Sequence, residues 1–357
     1  MSLEPCSFSG RTGACVTALL EAGIVRVVSA MEDPNPRVAG NGNRLLLEAG
    51  IAVGTGLLGA EAASLNRGYI QRLVNGKPFI RCKMAMSLDG RTAMASGESQ
   101  WITSPAARKI VQTIRAQSCA LITGIGTVLN DDPALTVRES ELGSPVERQP
   151  AIVVVDSRLR IPLDAKLLQP LSGFSFGRKV YIACGSDADP AKKAKLKKMG
   201  VEVMTLPYRE NTEAEHAQSG SALSLIDLID QLATKPFNEL LVEAGSSLAG
   251  AFVAQGLVDQ LDLFALGRPE HAAFDRQIAH ELDRAVRQLH PPRRAARRGP
   301  PPPLGRGEQG RGQGGPGRGC PVHRRAASGA PAPRPAQARW RLRRVAIRCA
   351  VCTGPAP

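Results

Sequence analysis

Two periodicities of apolar residues recur along residues 1–264 and predict an α/β fold. Short apolar runs that end in polar or glycine-containing turns predict strands, whereas apolar residues spaced three or four apart predict helices. Segments long enough to hold a crossover helix separate the predicted strands, so we expect a mainly parallel sheet with helices on both faces. The predicted strands of this sheet are 79–87, 120–123, 151–155, 179–184, 201–206 and 239–242.

A smaller α/β layer is predicted before this sheet. Its elements are a helix that Gly23 ends, a strand, a second helix, a short strand and a long connecting helix. The predicted bounds of these elements are 16–21, 24–31, 43–49, 51–53 and 57–74. We therefore divide the chain into a partial domain at 1–75, a domain with a full core at 76–264 and a tail at 265–357.

The tail differs from the rest of the chain in charge and composition. Residues 1–264 carry 27 Lys and Arg against 27 Asp and Glu, whereas residues 265–357 carry 19 Arg, no Lys and 5 acids. The whole formal charge of +14 therefore lies in the tail, which also holds 14 of the 27 prolines and 12 of the 36 glycines. Such a segment buries too little apolar surface to offset its conformational entropy, so we expect it to be disordered.

The sequence shows no signal for a membrane or for export. No apolar run approaches the ~18 residues of a membrane span, and Glu21 and Arg26 interrupt the first candidate for a signal peptide. Without an export signal, the eight cysteines are expected to be thiols in a reducing compartment rather than disulfides. We therefore expect a cytoplasmic protein without a membrane partner.

Cys6 and Cys15 form a Pro-Cys-x8-Cys pattern near the start of the chain. Nucleobase deaminases hold zinc with a similar pair of thiolates and an upstream His, and a Glu two residues after that His transfers protons. All five histidines of this chain lie at position 216 or beyond, so we expect the catalytic half of such a site to be absent. Taken alone, the spacing fits small core cysteines better than a metal site.

Two glycine-containing turns that follow predicted strands are candidate phosphate sites. The first, Gly-Ile-Gly-Thr at 124–127, lacks the third glycine of a dinucleotide fingerprint, so a plain tight turn is its more ordinary explanation. The second comes where Glu243 ends a strand and Gly245 turns the chain. Two serines can cap the helix predicted at 248–257, whose free N–H groups would face an anion, and simple capping explains the stretch about as well.

Six motifs occur in a fixed order between Leu3 and Gly250. They are Leu3-Glu-Pro-Cys-Ser-x-x-Gly-Arg-Thr-x-x-Cys15, Asp33-Pro-Asn-Pro-x-Val-Ala-Gly40, Ser87-Leu-Asp-Gly-Arg-Thr-Ala93, Ser96-Gly-Glu-Ser-Gln-Trp-Ile-Thr103, Gly126-Thr-Val-Leu-Asn-Asp-Asp-Pro-Ala-Leu-Thr-Val-Arg138 and Val242-Glu-Ala-Gly-x-x-Leu-Ala-Gly250. This set closely resembles the bifunctional riboflavin-biosynthesis deaminase/reductase family. In that family a zinc-dependent pyrimidine deaminase domain precedes an NADPH-dependent reductase of dihydrofolate-reductase-like fold.

The resemblance implies that 1–75 is the C-terminal half of a cytidine-deaminase-like αβα domain and that 76–264 is the reductase. Roughly seventy deaminase residues would precede Met1, so we expect Cys6 and Cys15 to be a residual zinc half-site and deamination to be lost. The implied reaction is the NADPH-dependent reduction of the ribosyl group of 5-amino-6-(5-phosphoribosylamino)uracil to a ribityl group. The family is homo-oligomeric, and the altered C-terminus of this chain argues against that state here.

The resemblance also implies which residues contact the ligands. NADPH would contact Ala85, Trp101, Thr127, Asp131 and Ser157, with its phosphates along Gly245, Ser246, Ser247, Leu248, Ala249, Gly250 and Ala251. The phosphorylated pyrimidine would contact Ser99, Arg115, Leu135, Arg138 and Glu243. Arginine suits this role because its planar fork matches a terminal phosphate. The catalytic candidates are Lys83, Asp131 and Glu243, and none of them is assigned firmly.

The tail leaves two other interpretations open. Nineteen arginines without a lysine suggest a GC-rich gene translated out of frame from about residue 265, in which case the chain could be an inactive family fragment. The Gly-Arg-Gly repeats could instead bind RNA phosphates. Trp340 is the only tryptophan of the tail, so aromatic stacking is scarce and a nucleic-acid partner is not expected.

Overall fold

A computed structural model describes residues 1–10, 12–87, 105–171, 177–209, 222–266 and 346–352. The helices within these ranges are α1 (Cys15–Glu21), α2 (Asn41–Glu48), α3 (Gly59–Leu65), α4 (Arg67–Asn75), α5 (Pro105–Gln117), α6 (Ile125–Asp131), α7 (Glu139–Leu142), α8 (Pro190–Lys198), α9 (Leu225–Ala233) and α10 (Ser246–Ala254), with a 3-10 turn at Lys166–Leu168. The strands are β1 (Arg26–Ser29), β2 (Ala52–Thr55), β3 (Phe79–Ser87), β4 (Ala120–Gly124), β5 (Ala151–Val155), β6 (Val180–Cys184), β7 (Glu202–Thr205), β8 (Glu239–Val242), β9 (Gln260–Leu266) and β10 (Ala346–Cys352).

Eight strands form one sheet in the order β10-β9-β3-β8-β4-β5-β6-β7. Every neighbouring pair in it is parallel. The predicted α/β fold with a parallel sheet is thus confirmed, and all six strands predicted for it are present. β1 and β2 form a separate parallel pair within residues 1–75.

Three features differ from the sequence prediction. The apolar pattern does not predict β9, because Gln260 and Asp262 interrupt it, yet both side chains are buried. β10 lies in the arginine-rich tail, where composition predicts no strand, and it pairs along β9. The helix predicted at 57–74 is two helices, because Asn66 leaves helical geometry at φ −104° and its side-chain amide donates to the Ala62 carbonyl at 2.8 Å.

The order of the strands creates a topological switch at β8. From β3 the chain proceeds through β4, β5 and β6 to β7 at one edge, then returns to place β8 between β3 and β4, and β9 beyond β3. Right-handed crossovers that run in opposite directions lie on opposite faces of a sheet, so the connections that leave β4 and β8 diverge. Ligands of open α/β sheets bind at such a point, beyond the carboxyl ends of the strands.

Helix α5 covers one face of the sheet next to this switch. Its Val111 and Ile114 belong to one buried cluster with Leu121 of β4 and Leu241 of β8. Alternate residues of a strand point to opposite faces, so Gly124 of β4 faces away from α5. The two faces of β4 and β8 are therefore covered by different helices at the switch.

A buried polar network connects α4 to the main sheet. The Arg67 guanidinium donates to Glu239 Oε2 at 3.0 Å and to Gln260 Oε1 at 2.8 Å. Gln260 donates to Asp262 Oδ1 at 2.6 Å, and Arg81 forms an ion pair with Asp262 at 2.8 Å. These partners explain how a strand as polar as β9 lies in the core, because buried polar groups are tolerated when they are paired.

Residues 1–75 contain a small apolar cluster of their own. The buried members of this cluster are Val16, Val27, Leu46 and Ile51. Many large apolar side chains nevertheless stay exposed there, among them Val25 at 81% and Leu65 at 78%. Ten of the 14 exposed large apolar residues in the described part of the chain lie in this region. No helix within the described ranges is long and apolar enough to span a membrane.

Candidate active site

The turns that follow β4 and β8 lie side by side at the carboxyl edge of the main sheet. Ile122 pairs with Val242, and the Glu243 amide donates to the Ile122 carbonyl at 2.9 Å. Gly124 lies against α10, since a Cβ built on it would be 3.4 Å from Leu248 Cδ2. The two glycine-containing turns therefore border one site at the topological switch.

The first turn of α10 offers backbone N–H groups that no side chain caps. Gly245 is the N-cap residue and makes no side-chain cap hydrogen bond, so Ser246 and Ser247 are the first helical residues rather than the predicted caps. The helix therefore begins at Ser246, two residues earlier than the predicted start at Leu248. A Cβ on Gly245 or on Gly126 would meet nothing within 4 Å. Free amides, a helix dipole and open space together fit an anion such as a dinucleotide phosphate.

Arg115 and Glu243, two predicted substrate residues, form a bidentate ion pair. Nε and Nη2 of Arg115 each donate to a Glu243 carboxylate oxygen at 2.8 Å, and the two side chains are 12% and 15% exposed. Burial by itself would raise the pKa of Glu243, but the charges of Arg115, Lys83 and Arg138 outweigh it and lower that pKa to about 2. The Glu243 charge likewise raises the pKa of Arg115, against the effect of burial. Glu243 is therefore an anion at neutral pH.

Lys83 and Thr123 flank Glu243 on the two neighbouring strands. The registers of β3 and β4 with β8 place all three side chains on the face that α5 covers. The Lys83 ammonium lies 5.8 Å from the ring centroid of Phe264. Thr123 Oγ1 is buried and finds no hydrogen-bond partner among the described residues. A cation, an anion and an unpaired hydroxyl thus follow one another across the sheet.

The loop that follows α6 carries two more predicted substrate residues, Leu135 and Arg138. Leu135 is buried and has a positive φ of 48°. Arg115 Nη1 donates to the Thr136 carbonyl at 2.9 Å, so the loop rests on the ion pair. Arg138 pairs with Glu141 at 2.8 Å near the surface, where its guanidinium is accessible to a phosphate. Four of the five predicted substrate residues therefore lie together.

The predicted cofactor residues outside α10 lie around the same edge of the sheet. Thr127 and Asp131 are four residues apart on α6, so they share one side of that helix. Thr127 is half-buried and Asp131 is exposed. Ala85 is half-buried near the carboxyl end of β3, and Ser157 follows the end of β5. Ala85, Thr127 and Ser157 are at or just beyond strand ends on the carboxyl side, whereas Asp131 is the last residue of α6, seven residues beyond β4.

The predicted phosphate-binding run extends past the first turn of α10. Ala249 is completely buried, and its amide already donates to the Gly245 carbonyl at 3.1 Å. Gly250 and Ala251 follow it along the helix, so the free amides are those that precede Ala249. The predicted contacts that lie outside the described residues are Ser99 and Trp101.

The two cysteines predicted as a zinc half-site are adjacent in the structure. Their Sγ atoms are 3.3 Å apart, and the hydrogen bond with Cys6, together with burial, raises the pKa of the Cys15 thiol. Within the described ranges, no group of three or more His, Cys, Asp or Glu side chains is placed to hold a metal ion. Because zinc sites use at least three protein ligands, this pair by itself does not fit a zinc site.

Three residues that contact this site carry no signal in the sequence. Gln112, Gln149 and Arg178 hydrogen-bond to the backbone of the loop that holds Leu135 and Arg138. The partners of Gln149 and Arg178 lie 12 and 44 residues away along the chain. Glutamine and arginine are ordinary surface residues, so neither residue type nor spacing distinguishes these three from solvated side chains.

The low pKa of Glu243 predicts a loss of stability in acid. This pKa is about 2 in the folded protein against an ordinary 4.5, so folding favours the ionised carboxylate. The stabilisation is complete above the ordinary pKa and disappears as the pH falls through the folded value, which changes the free energy of unfolding by about 3 kcal/mol. Urea denaturation at about pH 5 and pH 2 should show a smaller change for Glu243→Gln than for the parent chain, whereas equal changes would contradict this role.

Comparisons with known proteins give a consistent result. A sequence model of the RibD C-terminal domain matches residues 78–266. The riboflavin biosynthesis protein RibD of Escherichia coli strain K12 is 44% identical over 273 residues, which cover 74% of this chain and 68% of that protein. RibD of Haemophilus influenzae is 39% identical over 272 residues, and the match covers 74% of this chain and 67% of that protein.

Solved structures are similar over the same part of the chain. Acinetobacter baumannii RibD, form 1, has a TM-score of 0.61 at 39% identity and covers 74% of this chain and 67% of its own. A diaminohydroxyphosphoribosylaminopyrimidine deaminase/5-amino-6-(5-phosphoribosylamino)uracil reductase from Thermotoga maritima has a TM-score of 0.56 at 28% identity. The match covers 72% of this chain and 64% of the Thermotoga maritima chain. The chain spans about two thirds of the length of these relatives.

Proposed function

The chain belongs to the RibD family of riboflavin-biosynthesis proteins, and from this premise we propose that its site reduces the ribosyl group of 5-amino-6-(5-phosphoribosylamino)uracil with NADPH. The match at 78–266 includes both glycine-containing turns and the ion pair. One observation carries the proposal: the uncapped start of α10, at Gly245, lies two residues after Glu243 of the largely buried Arg115–Glu243 pair, at one edge of the sheet. The Thermotoga maritima relative bears the name of this reductase.

The anion-binding turns fit the phosphates of NADPH. The first turn of α10 supplies free N–H groups, and Gly126 leaves space for a close approach of the backbone. Thr127 follows Gly126 and can add a hydroxyl donor. When bound, NADPH supplies the hydride that C1 of the opened ribosyl ring accepts. The protein's task is to align the two ligands and exclude water.

Arginine side chains fit the phosphate and sugar of the substrate. Arg138 is 53% exposed and can exchange the Glu141 carboxylate for a substrate phosphate. Arg115 stays paired with Glu243, and this bidentate pair holds the Glu243 carboxylate in a fixed position in the site. An ionised carboxylate accepts hydrogen bonds, so Glu243 is suited to bind sugar hydroxyls.

The proton that the substrate nitrogen gains comes from a group other than Glu243. With a pKa of about 2, Glu243 is deprotonated at neutral pH and has no proton to donate. Lys83 lies beside Glu243, and an ammonium is a hydrogen-bond donor. Asp131 is exposed on α6, where its carboxylate can accept a hydrogen bond from a water molecule. We therefore assign Glu243 to orientation and leave proton transfer to Lys83 or to bound water, which Asp131 can help to hold.

Substrate-dependent oxidation of NADPH by the purified full chain tests this proposal. Absorbance of NADPH should fall when 5-amino-6-(5-phosphoribosylamino)uracil is added and stay constant without it. We further propose that this chain does not catalyse the family's zinc-dependent deamination, because Cys6 and Cys15 supply only two ligands. The diaminopyrimidine precursor should therefore release no ammonia. Absence of NADPH oxidation would refute the first proposal, and release of ammonia the second.

A further inference from the structure

The predicted substrate loop contains an irregular segment, residues 134–138, that we name the strap. It belongs to no helix or strand, and neighbouring side chains hold its backbone instead. Two side chains of α5 hold it. Arg115 donates to the Thr136 carbonyl at 2.9 Å, and Gln112 accepts from the Arg138 amide at 3.0 Å. Backbone groups that lack secondary structure need such partners when they are buried.

Gln149 holds the middle of the strap as a neighbouring strand would. Its Oε1 accepts from the Val137 amide at 2.7 Å, and its Nε2 donates to the Val137 carbonyl at 2.9 Å. One side chain therefore satisfies both backbone groups of Val137, which is itself buried. Because Val137 precedes Arg138, this pairing sets the direction in which the Arg138 side chain leaves the strap.

Arg178 holds the start of the strap. Its Nη1 donates to the Ala134 carbonyl at 2.6 Å, and its Nη2 donates to the Leu167 carbonyl at 2.9 Å. The guanidinium thus bridges the strap and the 3-10 turn at Lys166–Leu168. In the described part of the chain no carboxylate pairs with Arg178, and burial lowers its pKa to about 10. A half-buried cation whose described partners are all carbonyls is a costly arrangement, and here it secures a backbone bend.

The bend that Arg178 secures contains unfavourable backbone geometry. Asp132 and Leu135 have φ values of 39° and 48°, a region that residues other than glycine rarely occupy. The Lys166 amide donates to Asp132 Oδ1 at 2.9 Å, so the same 3-10 turn also holds the residue at the beginning of the bend. Such geometry persists only where surrounding contacts over-determine it, and it is common at ligand sites.

We propose that Gln149 and Arg178 are positioning residues that hold the strap so that Leu135 and Arg138 meet the substrate. This inference rests on the proposed reductase function, which gives those two residues their substrate. Neither Gln149 nor Arg178 is among the predicted ligand contacts. Both act through the backbone of the strap, whereas the cofactor turns at 124–127 and 245–247 are held by other contacts.

The test compares Gln149→Met with the parent chain. Methionine has a similar length but makes neither hydrogen bond, so we expect amide hydrogen exchange at Val137 to become about tenfold faster. The KM for 5-amino-6-(5-phosphoribosylamino)uracil should rise about tenfold. The Kd for NADPH and kcat should stay within about twofold, a split that a general structural defect would not produce.

Two further variants complete the design. Gln231→Met is the matched control, because Gln231 donates its side-chain amide to the Thr205 carbonyl at 3.3 Å at the far edge of the sheet, and it should change neither readout. If Gln149→Met does not fold, Gln149→Glu replaces it, since glutamate keeps the acceptor for Val137 and loses the donor. Arg178→Lys keeps the cation but cannot bridge two segments, so it should change the KM in the same direction.

The possible results distinguish failure of this inference from failure of the proposed function. Unchanged exchange at Val137 would overturn it, and so would faster exchange with an unchanged KM. If the parent chain oxidises no NADPH with this substrate, the proposed function fails, while the exchange comparison still decides whether Gln149 holds the strap. Faster exchange, a raised KM and an unchanged Kd for NADPH together would support the inference.

Discussion

Replacing Arg115 with methionine is expected to lower kcat/KM for 5-amino-6-(5-phosphoribosylamino)uracil by at least about 100-fold and to destabilise the fold by about 3–5 kcal/mol. The variant leaves Glu243 as an unpaired carboxylate that is only 15% exposed, and it also removes the donor to the Thr136 carbonyl. Breaking a buried pair on one side is costly because the remaining charge stays desolvated. Steady-state kinetics and urea denaturation measure the two effects.

Arg148→Met is the matched control for this prediction. Arg148 donates to the carbonyls of Ser118 and Ala116 at 3.2 and 3.4 Å and has no role in the proposed site, so its loss should change kcat/KM by less than about threefold. The double variant Arg115→Met/Glu243→Met should recover stability without recovering activity, because it removes the unpaired charge and leaves the site without its ligands. An Arg115→Met variant that behaves like the control would contradict the role of the ion pair.

Gly245→Asp is expected to weaken NADPH binding by at least about 100-fold while leaving the protein as stable as before or slightly more so. The backbone of Gly245 has φ −64° and ψ 167°, which aspartate adopts without strain, and its Cβ would enter open space. Aspartate is a favourable N-cap, so it would stabilise α10 by a few tenths of a kcal/mol. The same carboxylate would repel a phosphate at this helix start by about 4 kcal/mol.

The opposite signs of these two effects make the prediction specific. Fluorescence titration with NADPH gives the affinity, and thermal unfolding without ligand gives the stability. Gly13→Asp introduces the same charge at a glycine that also has open space around it, so it controls for net charge and should leave both quantities unchanged. If Gly245→Asp binds NADPH as tightly as Gly13→Asp does, the phosphates do not lie at the start of α10.

The regular part of the fold is predictable from the sequence because its strands are buried on both faces. Runs such as 151–155 and 179–184 are almost wholly apolar, and that pattern is typical of a central parallel strand. β9 is not predictable in this way, since Asp262 and Gln260 lie in the core only through partners on distant elements such as Arg67 and Arg81. Local patterning carries no information about such long-range pairing.

The residues of the candidate site likewise fall into a group that the sequence indicates and a group that only the structure reveals. Gly245 and Glu243 stand in a motif that resembles the family, and the resemblance implies Arg115 as a substrate contact, so the sequence indicates all three before any contact is known. Gln149 and Arg178 act on a backbone segment that has no regular structure, and only the three-dimensional contacts reveal them. The expected serine caps were wrong for a local reason, because the glycine of the turn itself occupies the N-cap position.

The C-terminal end of the resemblance coincides with the family match. The reductase region implied by the resemblance ends at about residue 264, and the RibD C-terminal domain match ends at 266, the last residue of β9. Beyond that point the described residues are those of β10, which extends the sheet next to β9. The interpretation of 265–357 as a frameshifted or RNA-binding tail stays a prediction.

Hydrogen exchange of the full chain with and without NADPH shows whether the cofactor covers both glycine-containing turns. We expect slower exchange in both turns together, at 124–128 and at 245–248, and no change in β7 at the far edge of the sheet. Binding of NADPH that slows exchange in only one of these turns, or in neither, would contradict this expectation.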